Sequence, residues 1–182
     1  NDFYVLNFNS TYTDKKLNLI PGISYSNYSG DHFGEVIWGS DLGPDAMIGD
    51  RYYFSDALKK DLNVFSKGTY KVNNKLSTYL DLQGRFINYQ TYGLTSSRDP
   101  IDVDKNFNFF NPKAGFIYRV KDENRLYLSY ARAQKEPNRN DFENGVSTSE
   151  KLDDYELGWR YYNKDFSINS NLYYMNYSNQ LV

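Results

Sequence analysis

The sequence contains no cysteine and a single histidine among its 182 residues. The missing cysteines exclude a disulfide framework, a thiolate zinc site and a cysteine nucleophile. With His32 alone, most Ser-His-Asp machinery lacks its base unless a partner is placed beside it. No stretch approaches the ~18 consecutive apolar residues of a transmembrane helix. The sequence therefore offers little for the common chemistries of enzymes, and no catalytic residue is expected.

An excess of positive charge is also missing. Lys and Arg number 21 against 23 Asp and Glu, which gives a formal net charge of -2. Binding of nucleic acid normally requires a basic stripe, so no nucleic-acid partner is expected. Asp102 and Asp104 have the D-x-D spacing of a calcium loop but lack its glycine and its bidentate glutamate. We therefore predict neither a metal site nor a cofactor.

Aromatic side chains, by contrast, are abundant. The chain has 19 Tyr and 12 Phe, although its mean hydropathy is only -0.76. Tyr favours the boundary between an apolar surface and water. Period-two alternation recurs throughout, whereas helical periodicity is weak and is best at residues 55–62. The pattern predicts an all-β chain of about eight strands, at residues 3–11, 17–28, 63–72, 75–91, 108–120, 125–133, 153–162 and 166–178.

The longest alternating segment is residues 75–93. At about 3.3 Å per residue it would reach roughly 55 Å, far beyond the ~17–20 Å of an ordinary strand. One of its faces is apolar and the other is polar, with Leu76, Leu80, Leu82 and Phe86 set against Lys75, Asp81, Gln83 and Arg85. An Arg near the middle of a bilayer costs roughly 2–4 kcal/mol. Arg85, Arg119 and Arg160, on the polar faces of three segments, are therefore predicted to point into a water-filled lumen.

Short and long connections take turns along the chain. Tight turns of Asn, Asp and Lys, suited to positive φ or to bonding their own backbone, occur at residues 13–16, 73–74, 121–124 and 163–165. Long connections are predicted at about 29–62, 92–107 and 134–152, well above the usual ~4–6 residues. Alternate turns of an up-and-down meander emerge at the same end. The order predicts an antiparallel meander over residues 1–182 that forms a segment of a large transmembrane β-barrel.

Four segments carry a resemblance: GDHFGEVIW (30–38), NPKAGFIY (111–118), LSYARAQKEPNRNDF (128–142), and YELGWRY followed by NLYYMNYSNQLV (155–182). Together they resemble the barrel of TonB-dependent outer-membrane receptors, in particular a Bacteroidetes-like branch. In that family the last two segments occur in this order in the C-terminal part of the barrel. The resemblance covers nearly the whole chain and implies a barrel of about 22 strands with an N-terminal plug in its lumen.

The resemblance also implies a function. Such receptors import a scarce nutrient, of the siderophore, cobalamin or glycan class, across the outer membrane of a Gram-negative bacterium, with energy that TonB delivers to the plug. The chain shows no TonB box, no plug domain and no aromatic closing strand, so we expect about a third of a barrel, which cannot perform gated transport alone. Its open edges and apolar outer face predict self-association and contact with lipid or lipopolysaccharide.

Candidate contact residues fall into two groups. Aromatic and polar residues of the long connections are the candidate ligand contacts, because rings and Arg dominate recognition surfaces: His32, Trp38, Tyr52, Tyr53 and Arg98. His32 could assist a metal or siderophore, or could be a solvent-exposed loop residue. The segment KEPNRNDF (135–142) either touches plug or ligand, or is a loop root held by local ion pairs and Asn turns. The residues predicted to face the plug or lumen are Arg85, Glu136, Arg139 and Arg160.

Two other classes of protein stay open. A soluble antiparallel β-sandwich that binds carbohydrate or another ligand also alternates, although its strands seldom exceed ten residues, and it would enclose Leu80, Leu82 and Phe86 in a shared core. A glycosidase-like enzyme would need two carboxyl groups about 5–9 Å apart, for which Asp153, Asp154 and Glu156 are the candidates. Neighbouring residues of a strand point to opposite faces, so the pair 153 and 154 is unsuited to catalysis.

Overall fold

The computed structural model describes residues 1–40, 43 and 45–180, and most of them are in strands. The strands are β1 (Asp2–Asn9), β2 (Tyr12–Thr13), β3 (Leu17–Glu35), β4 (Arg51–Lys71), β5 (Leu76–Leu94), β6 (Pro100–Phe110), β7 (Lys113–Arg119), β8 (Asn124–Lys135), β9 (Glu150–Tyr162) and β10 (Ser167–Ser178). The one helix in this described part is α1 (Arg139–Glu143). No helix there is long and apolar enough to cross a membrane.

The strands form one antiparallel sheet in the order β1-β3-β4-β5-β7-β8-β9-β10. β2 pairs with β3, and β6 pairs with the part of β5 that β7 does not reach. Pro112, which has no N–H to donate, lies at the break between β6 and β7. The predicted eight-strand meander is confirmed. The β-sandwich alternative is wrong, because the described strands form a single sheet and Leu80, Leu82 and Phe86 are exposed.

The long connections are shorter than predicted. They span residues 36–50, 95–99 and 136–149, because β3, β4, β5, β6 and β9 extend further than the sequence pattern indicated. The weakly helical segment 55–62 lies inside β4. These strand ends carry polar residues such as Asp56, Lys60 and Asp102 on an exposed face. The apolar alternation therefore fades there, and the sequence looks like a loop.

Three of the four tight turns are each closed by one side chain. The Asp14 carboxylate accepts hydrogen bonds from the N–H groups of Lys16 (2.6 Å) and Leu17 (2.8 Å). In the same way, the side chains of Asn73 and Asn163 each accept hydrogen bonds from the N–H groups of the second and third residues after them. Such bonds stand in for a backbone turn. The turns therefore use this device rather than positive φ, which among the described non-glycine residues occurs only at Arg98 and Asn179.

The strand register assigns every strand residue to one of two faces. Arg85, Arg119 and Arg160 share one face, which we call the arginine face. The opposite leucine face carries Leu80 and Phe86, each 48% exposed, together with other apolar side chains. The three arginines therefore lie opposite the exposed apolar residues, as the alternation predicted.

The polarity of both faces inverts part-way along β5. From Leu76 to Phe86 the leucine face is largely apolar and the arginine face is polar, and we call this part, next to the tight turns, the lower section. In the upper section beyond Phe86, the arginine face has buried Ile87, Tyr89 and Thr91, whereas the leucine face has polar Asn88 and Gln90. In the described part of the chain, four of the five buried apolar residues lie in this upper section: Ala57, Ile87, Tyr89 and Ile101. The fifth, Phe109, pairs with Arg85 just below it.

Candidate ligand-contact site on the arginine face

The upper arginine face is covered by residues 136–146, which we call the cap segment. The Asn138 side chain accepts a hydrogen bond from the N–H of Asp141, and the Asp141 carboxylate accepts one from the N–H of Asn138. This capping box starts α1. Gly145, with φ 79°, follows the helix in a conformation that suits glycine. The local sequence thus specifies a single helical turn that directs the chain back over the sheet.

An ionic network anchors the start of the cap segment to β4 and β5. The Glu136 carboxylate accepts hydrogen bonds from Lys59 Nζ and from both terminal nitrogens of Arg85, the shorter at 2.9 Å. Arg85 also donates two bonds, of 2.9 and 2.6 Å, to the Asp61 carboxylate. The Glu136 side chain is only 7% exposed. Since a buried carboxylate is costly unless it is paired, the two cations are what allow Glu136 to lie here.

The electrostatics of Glu136 follow from these contacts. Burial acts to raise its pKa, but the hydrogen bond from Lys59 and the positive charges of Lys59 and Arg85 outweigh burial. The pKa of Glu136 therefore lies below its ordinary value. The carboxylate remains ionised at neutral pH, and both cations keep their partner.

A second anchor holds the helix of the cap segment. The Arg139 guanidinium donates hydrogen bonds to Ser55 Oγ (2.8 Å) and Thr91 Oγ1 (3.3 Å), and both of these residues are fully buried. Phe142 stacks on Tyr89 with ring centroids 5.2 Å apart and planes 15° from parallel. The KEPNRNDF segment is thus held mostly by long-range contacts with β4 and β5. Its local contacts are the capping box and the ion pair of Arg139 with Glu143.

An open groove of about 370 Å³ adjoins the ionic network on the arginine face. Its wall includes Ser24, Asp61, Asn63, Gln83 and Asn111. Three of its oxygens are buried and have no hydrogen-bond partner among the described residues: Asp61 Oδ1, Asn63 Oδ1 and Asn111 Oδ1. Buried acceptors are normally satisfied. The groove is therefore suited to a group that brings hydrogen-bond donors, such as a hydroxyl, an amide or an ammonium.

Arg160 occupies a different part of the arginine face, in the lower section. Its guanidinium lies 5.2 Å from the ring centroid of Tyr127. The Tyr127 hydroxyl donates to Glu156 at 2.6 Å. A Cβ on Gly158 would meet the Tyr127 ring at 2.0 Å, so any other residue at this position would displace the ring. Among the residues predicted to face plug or lumen, the structure thus joins Arg85, Glu136 and Arg139 through the cap segment and leaves Arg160 elsewhere.

Of the predicted ligand contacts, three come together at the loop end of the sheet. The rings of Tyr52 and Tyr53 meet edge to face at 5.1 Å, and the Arg98 guanidinium lies 5.9 Å from the Tyr52 ring centroid. Trp38 is 75% exposed in the connection 36–50. These four side chains are placed where a ligand in solution could reach them.

His32, Tyr52 and Tyr53 were predicted to lie in a long connection, and this placement is wrong. β3 continues to Glu35 and β4 begins at Arg51, so all three are strand residues. His32 pairs in register with Ser55, the residue that binds Arg139. The histidine thus lies on the covered arginine face rather than in a solvent-exposed loop.

The three carboxylates that an enzyme would need are divided between the two faces of β9, with Asp154 and Glu156 on the arginine face. Asp153 accepts hydrogen bonds from Arg132 and from the Tyr130 hydroxyl on the leucine face, whereas the neighbouring Asp154 lies on the opposite face. Asp104 accepts a hydrogen bond from the amide of Gln90. In the described part of the chain, no group of three or more His, Asp or Glu residues could hold a metal ion.

The comparison with family models decides the family. The model described as "TonB dependent receptor-like, beta-barrel" matches residues 1–182. The chain belongs to this family. Because TonB-dependent receptors are transporters rather than enzymes, membership confirms the prediction of a non-enzymatic chain. A search of the curated proteins found no match.

Solved import receptors and transporters share the fold. The chain is similar to the ferric-catecholate import receptor Fiu from Escherichia coli K12, with TM-score 0.67, 16% identity and 98% of this chain covered. It is also similar to the copper transporter OprC, with TM-score 0.79, 15% identity and 95% of this chain covered. A third similar structure is the ferric yersiniabactin uptake receptor FyuA from Yersinia pestis, with TM-score 0.64, 15% identity and 98% of this chain covered. The match covers 31%, 29% and 28% of those chains, so this chain spans less than a third of each.

Proposed function

We propose that the chain forms part of the barrel wall of an outer-membrane receptor in a Gram-negative bacterium. The inversion of polarity on β5 carries this proposal. Between Leu76 and Phe86 the leucine face is largely apolar, with Leu80, Leu82 and Phe86 exposed, over the roughly 9–11 residues that a strand needs to cross a bilayer. The lower section then lies in the membrane, and the upper section extends into water outside the cell. This accounts for strands longer than a bilayer requires.

The arginine face lines the interior in this arrangement. Arg85, Arg119 and Arg160 then face water or protein, which avoids the cost of placing them in hydrocarbon. The cap segment lies inside the barrel, where its anchors on Glu136 and Arg139 hold it beside the groove. We propose that the groove and the network contact the plug or the passing ligand, and that energy from TonB reaches the plug of the complete protein.

The proposed cargo is a small metal chelate. This choice is supported by the similar structures, which include receptors named for ferric catecholate, ferric yersiniabactin and ferric citrate. His32, Trp38, Tyr52, Tyr53 and Arg98 are the proposed ligand contacts, with the Tyr52–Arg98 pair meeting the ligand first. The growth measurements described below would instead identify cobalamin or an oligosaccharide as the cargo if the growth defect were confined to that nutrient.

We further propose that residues 1–182 are a C-terminal piece of the barrel in a Bacteroidetes-like receptor, on the order of the motifs in segments 128–142 and 155–182. The outer edges of β1 and β10 have no pairing strand among the described residues, and the leucine face is apolar. The isolated piece should therefore self-associate in water. Sedimentation that shows a stable monomer without detergent would contradict this.

Labelling of introduced cysteines tests the membrane placement. The chain has no native cysteine, so Leu80→Cys, Gln83→Cys and Gln90→Cys in the complete protein each add one new thiol to it. In intact cells a water-soluble maleimide should label Gln90→Cys, whereas a lipid-soluble reagent should label Leu80→Cys. Gln83→Cys, on the arginine face, should resist the lipid-soluble reagent. Equal labelling of positions 80 and 90 by the water-soluble reagent would overturn the proposal.

Growth measurements test the cargo. A strain that lacks the complete protein is supplied with ferric siderophores, cobalamin or oligosaccharides as the only source of the limiting nutrient. We expect a growth defect on ferric siderophores that the wild-type gene restores and the double variant Tyr52→Ala/Arg98→Ala does not. Tyr12→Ala, an exposed ring at the tight-turn end, is the matched control and should restore growth. A defect confined to oligosaccharides would assign the receptor to that class.

A further inference from the structure

Three tyrosines form a row on the leucine face, away from the candidate ligand site. Tyr130, Tyr155 and Tyr174 lie side by side in the register of β8, β9 and β10, with ring centroids 5.1 and 6.2 Å apart. The next row of the same face, one step toward the loops, is polar and consists of Arg132, Asp153 and Asn176. The tyrosine row therefore marks the border between the apolar band and the polar upper section on these strands.

The polar row above the tyrosines has an excess of positive charge. Arg132 Nε donates to Asp153 Oδ1 at 2.8 Å, and Lys151 Nζ lies 3.6 Å from Asp153 Oδ2. The Tyr130 hydroxyl also donates to Asp153. Arg132 and Lys151 are each about one-third exposed, with side-chain values of 35% and 36%. One carboxylate thus meets two accessible cations, which leaves a net positive charge at this border.

An apolar groove of about 330 Å³ lies directly below this polar row. Phe116, Leu128, Tyr130 and Tyr155 line it, and the small Ala114, which pairs with Tyr130, leaves room between the rings. Tyr130 lies two residues before Arg132, and Tyr155 two residues after Asp153, on the same face. The apolar groove and the cationic site are therefore neighbours on this face.

We propose that this site binds an anionic membrane lipid that bears a phosphate, with its acyl chain in the groove and its headgroup on Arg132 and Lys151. The inference rests on the proposed function, because it requires the leucine face to meet lipid. Charge complementarity selects this occupant, since a zwitterionic lipid would also bring an ammonium toward the two cations. The contribution of each Lys or Arg to binding of an anionic lipid corresponds to about a fivefold change in affinity.

Spin-labelled lipids test the site in the complete protein. The protein is placed in phosphatidylcholine nanodiscs that contain spin-labelled phosphatidylglycerol or spin-labelled phosphatidylcholine, and the immobilised fraction of each probe is compared. We expect a preference for phosphatidylglycerol that falls about fivefold in Arg132→Gln and in Lys151→Gln. Lys60→Gln removes another exposed lysine of the leucine face, outside the groove, and should leave the preference unchanged.

Filling the groove gives a separate measurement. Ala114→Trp leaves Arg132 and Lys151 in place but blocks the groove, so the preference for phosphatidylglycerol should fall as it does in the charge variants. Resistance of the unheated protein to unfolding in dodecyl sulfate checks that each variant folds. Equal preference in the wild type and all folded variants would overturn the lipid site. If the wild type immobilises neither probe, the leucine face does not meet lipid, and the proposed function fails instead.

Discussion

The lower and upper sections of the sheet use the same alternation for opposite purposes. On β5, the even-numbered side chains are largely apolar and exposed up to Phe86, and the odd-numbered ones are polar. Beyond Phe86 the odd-numbered Ile87, Tyr89 and Thr91 are buried on the face that the cap segment covers, and the even-numbered Asn88 and Gln90 are polar. The direction in which a strand turns its apolar residues is therefore set by what lies against each face. In the lower section we propose that lipid covers the leucine face. In the upper section the cap segment covers the arginine face.

Replacing one residue of the leucine face by Arg in each section sharpens this comparison most strongly. Leu80→Arg should destabilise the complete protein in lipid vesicles by roughly 2–4 kcal/mol, the cost of Arg near the bilayer midplane. Gln90→Arg, on the same face and strand in the upper section, should cost about 0–1 kcal/mol. Guanidinium unfolding in vesicles measures both. Equal costs would mean that the two sections share one environment.

The ionic anchor of the upper section should give the next largest effect. Glu136→Gln leaves Lys59 and Arg85 without their buried carboxylate. The free energy of opening of the cap segment should fall by roughly 2 kcal/mol, which is the contribution of hydrogen bonds to charged groups. Hydrogen exchange of residues 136–146 measures the opening. Glu35→Gln is the control, because it removes an exposed ion pair with Arg51 and should cost about 0–1 kcal/mol. Unchanged exchange in Glu136→Gln would show that the network does not hold the cap.

Acid should loosen the same anchor by a smaller amount. The folded state holds the pKa of Glu136 below its ordinary value, so the unfolded state binds a proton more readily. The stabilisation is full above the ordinary pKa of about 4.3 and is lost as the pH falls through the lowered folded value. Exchange of residues 136–146, corrected for its intrinsic pH dependence, should show this step. The step should be missing in Glu136→Gln, and its persistence there would assign it to another group.

The smallest effect is expected at the tight turns. Asn73→Ala removes two hydrogen bonds that the Asn73 side chain accepts from backbone N–H groups. The free energy of unfolding should fall by about 0.5–1.5 kcal/mol. Asn74→Ala changes the neighbouring residue of the same turn without touching those two bonds, and should cost less. The difference between their unfolding midpoints is the measurement. A larger loss at Asn74 would show that the turn closes in another way.

The sequence was sufficient to predict the lower section. Uninterrupted alternation at Leu80, Leu82 and Arg85 identified the strand and its two faces, and the Asn and Asp residues identified the turns. In the upper section, Lys60 and Asp102 interrupt the apolar pattern, since both of its faces carry polar groups. The candidate residues Glu136 and Arg139 were found, but their partners were not. Lys59 lies 77 residues from Glu136 in the chain, and only the strand register brings the two together.

The side chains that close the tight turns have a consequence for how the chain assembles. Each closure depends on residues no more than three positions apart, so it can form before any distant contact exists. Pairing can then extend outward from Asp14, Asn73 and Asn163 one residue pair at a time, at little entropic cost. We expect the sheet to be built from preformed hairpins that dock side by side, and the seams between them to form last.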